Sequence, residues 1–295
     1  MDILTLLLPN RPHAPSIGAR ETDPAWLGRR MATLYRCWDS GGTLDLVALT
    51  AGFLDQLGLT NDPIGRVCLH VAKDVAHWGG HPYHSTQHHA EVATNAMVLT
   101  EVASRIGQPI PPHQRTILLA GSLAHDIGYE LVPSSRAHFG AEAKSAATLD
   151  VINARYGVER ADREALRCLI LATEPSFRAR LAKLLSQPGS LVDVPAPLHP
   201  LAAQPQLVEL AAVLSDADLL SSAGLTVHWH RVQLDRLERE LGHHIAPAED
   251  LWFFEQIVGD DFLSPGGHHF LPNLVRIRQA VQSAAMPSGE ERDYD

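Results

Sequence analysis

Residues 83–92 read Tyr83-His84-Ser85-Thr86-Gln87-His88-His89-Ala90-Glu91-Val92 and carry the strongest chemical signal in the chain. Thr86 opens a helical pattern and carries a hydroxyl that can cap the helix. His84 and His88 are four residues apart, so a helix places both on one face. Imidazole nitrogens and carboxylate oxygens are the usual ligands of Zn, Mn, Fe or Mg ions. One of these histidines can therefore ligate a metal while the other takes a different role.

Two later segments supply further ligands of the same kinds. His125 and Asp126 are adjacent inside an apolar helical run, and Asp218 lies in a second run at 214–220. Neighbouring residues diverge by roughly 100° around a helix, yet both can converge on a cluster beside it. A carboxylate can also bridge two metal ions, which an imidazole cannot. Asp216 is the alternative to Asp218, two residues away on a different helical face.

Four motifs occur in the order of a known family. They are Tyr83-His84 with His88 and Val92, then Gly121-Ser122-Leu123-Ala124-His125-Asp126, then Ile170-Leu171-Ala172-Thr173-Glu174, then Ala217-Asp218-Leu219. In these motifs the chain resembles the HD superfamily of metal-dependent phosphohydrolases, and within it the catalytic domain of the class I 3′,5′-cyclic nucleotide phosphodiesterases. A weaker match, Gln233-Leu234-Asp235 followed by Glu240-Leu241-Gly242, extends the resemblance over roughly residues 65–260.

The resemblance implies a divalent metal site, with two ions, and a mechanism. His88, His125, Asp126 and Asp218 would hold the first ion, and Asp126 would also reach the second. His84 would be the general acid. Glu91 or Glu174 is expected to accept a hydrogen bond from an active-site imidazole and fix its tautomer. Other candidates for contacts to the ligands or the substrate are Tyr83, His138, Thr173 and Gln256.

The chain departs from the family at the second metal and at the base-binding end. Ile127-Gly128-Tyr129-Glu130 follows Asp126, so the histidine that supports the second-metal waters is missing. An acidic residue of the family falls near Ser135, and His138 keeps one of a pair of histidines. Gln256 is the candidate for the base-reading glutamine, although Gly259 stands where the family has a phenylalanine. Phe253, Phe254 or Phe262 is expected to supply an aromatic wall.

Three functions follow from these motifs. The first is hydrolysis of a 3′,5′-cyclic nucleotide to its 5′-monophosphate. The second is an HD-type nucleotidase or pyrophosphohydrolase acting on another nucleotide. The third is not enzymatic: a metal-stabilised, catalytically silent domain whose helical surface binds a partner. The intact set of ligands with His84 favours the enzymes, and the missing second-metal residues favour the silent domain.

Composition and periodicity predict the setting of the site. The 295 residues have a net charge of −10, which disfavours nucleic-acid binding. No apolar run approaches the roughly 18 residues of a membrane span, and we expect a cytoplasmic location. Apolar residues at helical spacing recur throughout, so we expect an all-α bundle with little or no sheet. We expect an extended arm at 1–20, one catalytic domain at 21–285, a proline-rich loop at 187–205, and a mobile acidic tail at 286–295. The sequence leaves the oligomeric state open.

Overall fold

The fold is all-α, as the periodicity predicts. The computed structural model describes residues 23–78, 81–129 and 139–286, and these residues form helices and connecting loops without a strand. The expected arm at 1–20, His138 and residues 287–295 of the expected tail lie outside the described residues.

The described residues form fourteen α-helices. They are α1 Pro24–Asp39, α2 Leu46–Leu57, α3 Pro63–Val75, α4 Thr86–Arg105, α5 Pro112–Ala124, α6 Gly140–Tyr156, α7 Arg160–Leu171, α8 Arg178–Ser186, α9 His199–Ala202, α10 Pro205–Ala223, α11 Val227–Leu241, α12 Pro247–Phe253, α13 Pro265–His268 and α14 Leu271–Ala285. Short 3₁₀ turns cover Pro175–Phe177 and Ala196–Leu198, and a π-helical turn covers Phe254–Val258.

The first helices begin where the sequence offers caps. The side chains of Asp23, Asp45 and Asp62 each accept a hydrogen bond from a backbone N–H in the first turn of α1, α2 and α3. Such a cap satisfies one of the donors that a helix start leaves unpaired. The proline-rich stretch at 187–205 is not loop throughout. It contains α9. The helix tolerates Pro200 because this residue lies in the first turn, where its missing N–H costs no hydrogen bond.

Helices α4, α5 and α10 form the centre of the molecule and pack against one another. Most of α4 and α10 is buried on all sides, including polar residues of the motifs. Helix α13 approaches α4 closely through Gly266. A Cβ atom at this position would lie 2.2 Å from the carbonyl oxygen of Leu99, so only glycine fits there.

No single helix in the described part of the chain is both long and apolar enough to cross a membrane. Helices α10 and α11 meet the criteria of length and composition only when taken together, and the chain bends by 97° between them.

Candidate metal centre

The start of α4 is anchored so that its histidines face the centre of the molecule. Ser85, rather than Thr86, is the capping residue, and its Oγ accepts from the N–H of His88. Thr86 instead donates its hydroxyl to the carbonyl oxygens of Val75, at 2.7 Å, and Trp78. These bonds tie the first turn of α4 to the end of α3. The cap by Ser85 and the hydrogen bonds of Thr86 together fix the position of His88.

Four predicted ligands converge in the structure. His88 Nε2 lies 3.2 Å from His125 Nε2, 3.3 Å from Asp126 Oδ2 and 3.4 Å from Asp218 Oδ1. His125 Nε2 lies 3.0 Å from Asp126 Oδ2 and 3.5 Å from Asp218 Oδ1. Helix α4, the C-terminal end of α5 and helix α10 each contribute to this cluster, which brings together residues far apart in sequence.

The spacing of these atoms fits a divalent cation. Ligand atoms about 2.0–2.1 Å from a metal ion are roughly 2.8–3.4 Å from their neighbours in octahedral or tetrahedral geometry. Ligand atoms of His88, His125 and Asp218 all lie within 4.8 Å of one another. His125 Nδ1 is 3.0 Å from the carbonyl oxygen of Ser122 and must donate to it, so the lone pair of Nε2 is directed into the cluster.

Without a metal ion, the carboxylates of the cluster favour protonation of its two histidines. Burial disfavours the charged imidazolium, but the carboxylates of Asp126 and Asp218 outweigh it and raise the pKa of His88 to about 9. The pKa of His125 is raised for the same reason. In turn, burial opposes ionisation of Asp218, yet its bonds to the two histidines hold its pKa below the usual range. A cation bound here would displace those protons.

His84 stands beside the cluster and is oriented by Glu240. Its Nδ1 lies 2.5 Å from Glu240 Oε1, and the backbone N–H groups of Tyr83 and His84 donate to Glu240 Oε2 at 2.8 and 2.9 Å. Because the carboxylate only accepts, Nδ1 carries a proton. His84 Nε2 then faces Asp126 Oδ2 at 3.9 Å. Burial opposes the ionisation of Glu240, but its bond to His84 lowers its pKa to about 2, so the carboxylate stays charged.

Tyr129 completes the setting of His84. The two rings are stacked, with centroids 3.7 Å apart and planes 23° from parallel. Burial, followed by the nearby Glu240 carboxylate, raises the pKa of Tyr129 to about 12, so its hydroxyl stays protonated. Tyr129 occupies part of the segment in which the family's histidine is missing.

The structure corrects the expected orienting role of Glu91 and Glu174. Glu91 is fully buried and accepts from Gln87, Gln233 and Arg236 at 2.8, 2.7 and 3.1 Å, so it joins α4 to α11. Glu174 accepts from the N–H of Phe139 at 3.1 Å. The carboxylate that holds the imidazole of His84 is that of Glu240.

Asp216 and Asp218 have different surroundings although they are two residues apart. Asp218 faces His88 and His125 in the cluster. Asp216 is fully buried on the other side of α10, where Arg178 Nη2 donates to it at 2.9 Å and the N–H of Ser264 at 2.6 Å. Asp216 therefore holds the segment before α13 in place and is not directed at the metal cluster.

Another carboxylate, that of Glu142, lies near Asp126 and beside Glu174. Burial, then the neighbouring Glu174 carboxylate, raises the pKa of Glu142 to about 7. Thr173 is largely buried and donates its hydroxyl to the carbonyl oxygen of Ile170 at 2.7 Å, so it closes the end of α7. His138, another predicted residue, lies outside the described residues.

A cavity of about 630 Å³ adjoins the cluster through Tyr83, which lines it. The ring of Tyr83 lies 5.1 Å from that of His88, and its hydroxyl 3.2 Å from Ser222 Oγ. The aromatic wall is formed by Trp252 and Phe253. Of the other predicted wall residues, Phe254 and Phe262 are buried in the core. Gln256 does not line this cavity, because the π-helical turn leaves it exposed.

The sequence motifs do not indicate the roles of three residues in this region. Glu240 lies in the weak match at 240–242, and its distance of 156 residues from His84 in sequence hides the pairing. Tyr129 stands at a departure from the family pattern. Asp250, which also lines the cavity, belongs to α12, a seven-residue helix too short to give a periodic signal.

Comparison with known proteins identifies the fold. No protein-family model and no curated protein matches the sequence. Among solved structures, the phosphodiesterase domain of the RhoPDE fusion protein from the choanoflagellate Salpingoeca rosetta aligns with a TM-score of 0.57 at 13% identity, over 82% of this chain and 91% of that one. A second structure, of the phosphodiesterase domain of the Salpingoeca rosetta rhodopsin phosphodiesterase, aligns at 0.54 and 12% identity, over 87% and 88%. The chain therefore has the fold of phosphodiesterase domains.

Proposed function

We propose that this protein is a metal-dependent phosphodiesterase that hydrolyses a 3′,5′-cyclic nucleotide to its 5′-monophosphate. The observation that carries the proposal is the position of His84 beside four convergent metal-ligand side chains. Its Nε2 lies 3.9 Å from Asp126 Oδ2, while its Nδ1 is held by Glu240. This is the arrangement of a proton donor next to a site that binds phosphate through cations.

His88, His125, Asp126 and Asp218 would hold a divalent ion, and Asp126 would also reach a second one, as the resemblance implies. When bound, such ions neutralise phosphate charge and lower the pKa of the attacking water. The reaction adds this water to phosphorus and breaks the bond between phosphorus and the 3′ oxygen of the ribose. The leaving oxygen needs a proton, since an alkoxide is a poor leaving group.

His84 supplies that proton from Nε2. Glu240 accepts from Nδ1–H and stabilises the imidazolium before transfer, so the same hydrogen bond fixes the orientation of the ring. Tyr129 covers one face of the ring and restricts its rotation. Tyr83 lies against His88 and also lines the apolar cavity, which would supply space for the base.

The test compares two substrates whose leaving groups differ. His84→Ala is expected to lower kcat for a cyclic nucleotide by about 100- to 10,000-fold, the usual contribution of a general acid. Bis(p-nitrophenyl) phosphate expels nitrophenolate without protonation, so its turnover should change far less. His228→Ala removes an exposed histidine of α11 and serves as the matched control. Equal losses with both substrates, or no loss with either, would refute the assignment of His84 as the acid.

A further inference from the structure

The cavity beside Tyr83 is apolar except at one end. Leu234, Leu237 and Leu241 form one wall from α11, and Trp252 and Phe253 face them from α12. Trp252 is 56% exposed, so its ring stands at the rim, where a flat ligand can stack on it. The polar end contains a buried pair, His230 and Asp250.

The hydrogen bonds of this pair fix what it can offer a ligand. His230 Nδ1 lies 2.7 Å from the carbonyl oxygen of Ser222, which can only accept, so Nδ1 carries a proton. His230 Nε2 lies 3.0 Å from Asp250 Oδ2. One proton is shared in this contact, either on the imidazole or on the carboxyl. In both arrangements the other oxygen, Asp250 Oδ1, is an acceptor.

That oxygen is a buried acceptor in the lining of the cavity, which also contains the exposed His243 and Glu249. Within the described part of the chain, Asp250 Oδ1 makes no hydrogen bond, although the side chain is 8% exposed and lines the cavity. A second acceptor comes from Gln233, which also lines the cavity. Its amide nitrogen donates one of its two N–H groups to Glu91 at 2.7 Å, and among the described residues its carbonyl oxygen accepts no hydrogen bond.

We propose that Asp250, held in place by His230, reads the base of the substrate and selects one with adjacent N–H donors, which among common nucleobases is guanine. The inference rests on the proposed phosphodiesterase function and names the substrate class for that site. The N1–H and N2–H groups of guanine both donate to acceptors at the polar end. Adenine presents a ring nitrogen that accepts, and this atom would face an acceptor across a water-poor space.

The expected size of the preference for guanine follows from the strength of these hydrogen bonds. Bonds to a carboxylate are roughly twice as strong as those between neutral groups. A good bidentate contact discriminates between bases by about 1–3 kcal/mol, which corresponds to roughly 5- to 150-fold. We therefore expect kcat/KM for 3′,5′-cyclic GMP to exceed that for 3′,5′-cyclic AMP by about tenfold or more. Cyclic IMP, which keeps N1–H and lacks the 2-amino group, should lie between them.

The experiment measures kcat/KM for these three nucleotides in the full chain with Mn²⁺, together with calorimetric binding of GMP and AMP. Asp250→Asn places an N–H₂ group at the polar end and should reduce the preference for guanine about tenfold or more. Asp235→Asn makes the same chemical change at an exposed site of α11, 66% exposed, and should leave the preference unchanged. A role for Asp250 in stability alone would lower turnover of both purines without changing their ratio.

The outcomes separate this inference from the function on which it rests. Turnover of cyclic AMP equal to or faster than that of cyclic GMP overturns the base assignment and leaves the phosphodiesterase proposal intact. If no cyclic nucleotide is turned over but GMP binds more tightly than AMP, the proposed reaction is overturned and the proposed recognition of guanine is supported. No turnover and equal binding overturns both. If Asp250→Asn does not fold, the three cyclic nucleotides on the unsubstituted protein still decide the preference for guanine. Asp250→Glu, which keeps the carboxylate and moves it by one methylene, then tests Asp250: an unchanged ratio of kcat/KM for the two purines would overturn its role.

Discussion

Asp216 and Asp218 provide a prediction in which two neighbouring substitutions have opposite consequences. Asp216 and Arg178 form an ion pair whose side chains are 0% and 4% exposed, and backbone N–H groups of Leu263 and Ser264 also donate to Asp216. Asp216→Asn turns an N–H₂ group towards those donors. Breaking a buried pair in this way costs about 3–5 kcal/mol. For a domain of this size that corresponds to a fall in Tm of roughly 10 °C.

Asp218→Asn removes a metal ligand instead. Its side chain is 23% exposed, and His88 and His125 can release their protons when the carboxylate is lost, so the metal-free protein should lose less stability than with Asp216→Asn. A metal ion at about 100 times its Kd stabilises the native state by about 2.7 kcal/mol. The unsubstituted protein and Asp216→Asn should therefore gain roughly 5–10 °C in Tm on metal addition. Asp218→Asn should gain little or nothing.

The assay is thermal unfolding followed by calorimetry or fluorescence, first with a chelator and then with Mn²⁺ or Zn²⁺. Asp235→Asn is the control for the chemical change itself, because that residue lies on the exposed face of α11. If Asp216→Asn abolished the metal-dependent gain while Asp218→Asn retained it, the assignment of the two carboxylates would be reversed. Equal behaviour of both variants would contradict the separation that the structure shows.

Three further predictions concern the groups around the cluster. Glu240→Gln keeps the size of the side chain but removes the charge that stabilises the His84 imidazolium. In steady-state kinetics, kcat for a cyclic nucleotide should therefore fall on the order of 10- to 100-fold with little change in KM. A raised KM with little change in kcat would show that Glu240 only shapes the binding site. Tyr129→Leu removes the ring stacked on His84 and should lower kcat about three- to tenfold. Tyr129→Phe keeps the ring, so its kcat should fall less. Equal kcat values in the two variants would count against a role for the stacking. The pKa of His88 is about 9 in the folded metal-free protein and about 6.5 when unfolded. It is raised on folding, so its contribution to stability is complete below about pH 6.5 and is lost as the pH rises through about 9. Urea unfolding with a chelator should therefore give a midpoint that falls over this range, and bound Mn²⁺ should reduce the fall; a midpoint that rises with pH would show that the histidines are not held protonated by the carboxylates.

The helices and the convergence of the four candidate ligands were predictable because their signals are local. The histidines of α4, the His125–Asp126 pair and Asp218 each lie within an apolar helical run, so periodicity places them on elements that a single core brings together. The choice of Asp218 over Asp216 came from the residues beside it in the motif, and the structure separates the two as described. All-α architecture follows from the same helical periodicity and from the absence of strand alternation in the sequence.

The surroundings of the cluster were not predictable in the same way. The partner of His84 is Glu240, on α11, and nothing local in the sequence of either residue indicates the pairing. Glu91 was expected to orient an imidazole, but Arg236 and Gln233 hold it in the interface between α4 and α11. Gln256 was expected to read the base, and a π-helical turn directs it to the surface. Such positions depend on how helices pack, which single-sequence patterns do not encode.

The most direct test of the proposed function is identification of the products by chromatography. Metal-loaded protein, with Mn²⁺ or Mg²⁺, would be incubated with 3′,5′-cyclic nucleotides, nucleoside monophosphates and nucleoside triphosphates. We predict conversion of a 3′,5′-cyclic nucleotide to its 5′-monophosphate, abolished by chelation and restored by the added ion. Release of phosphate or pyrophosphate from the other nucleotides would instead support a nucleotidase, and no turnover of any compound would contradict the enzymatic account and favour a metal-stabilised binding domain.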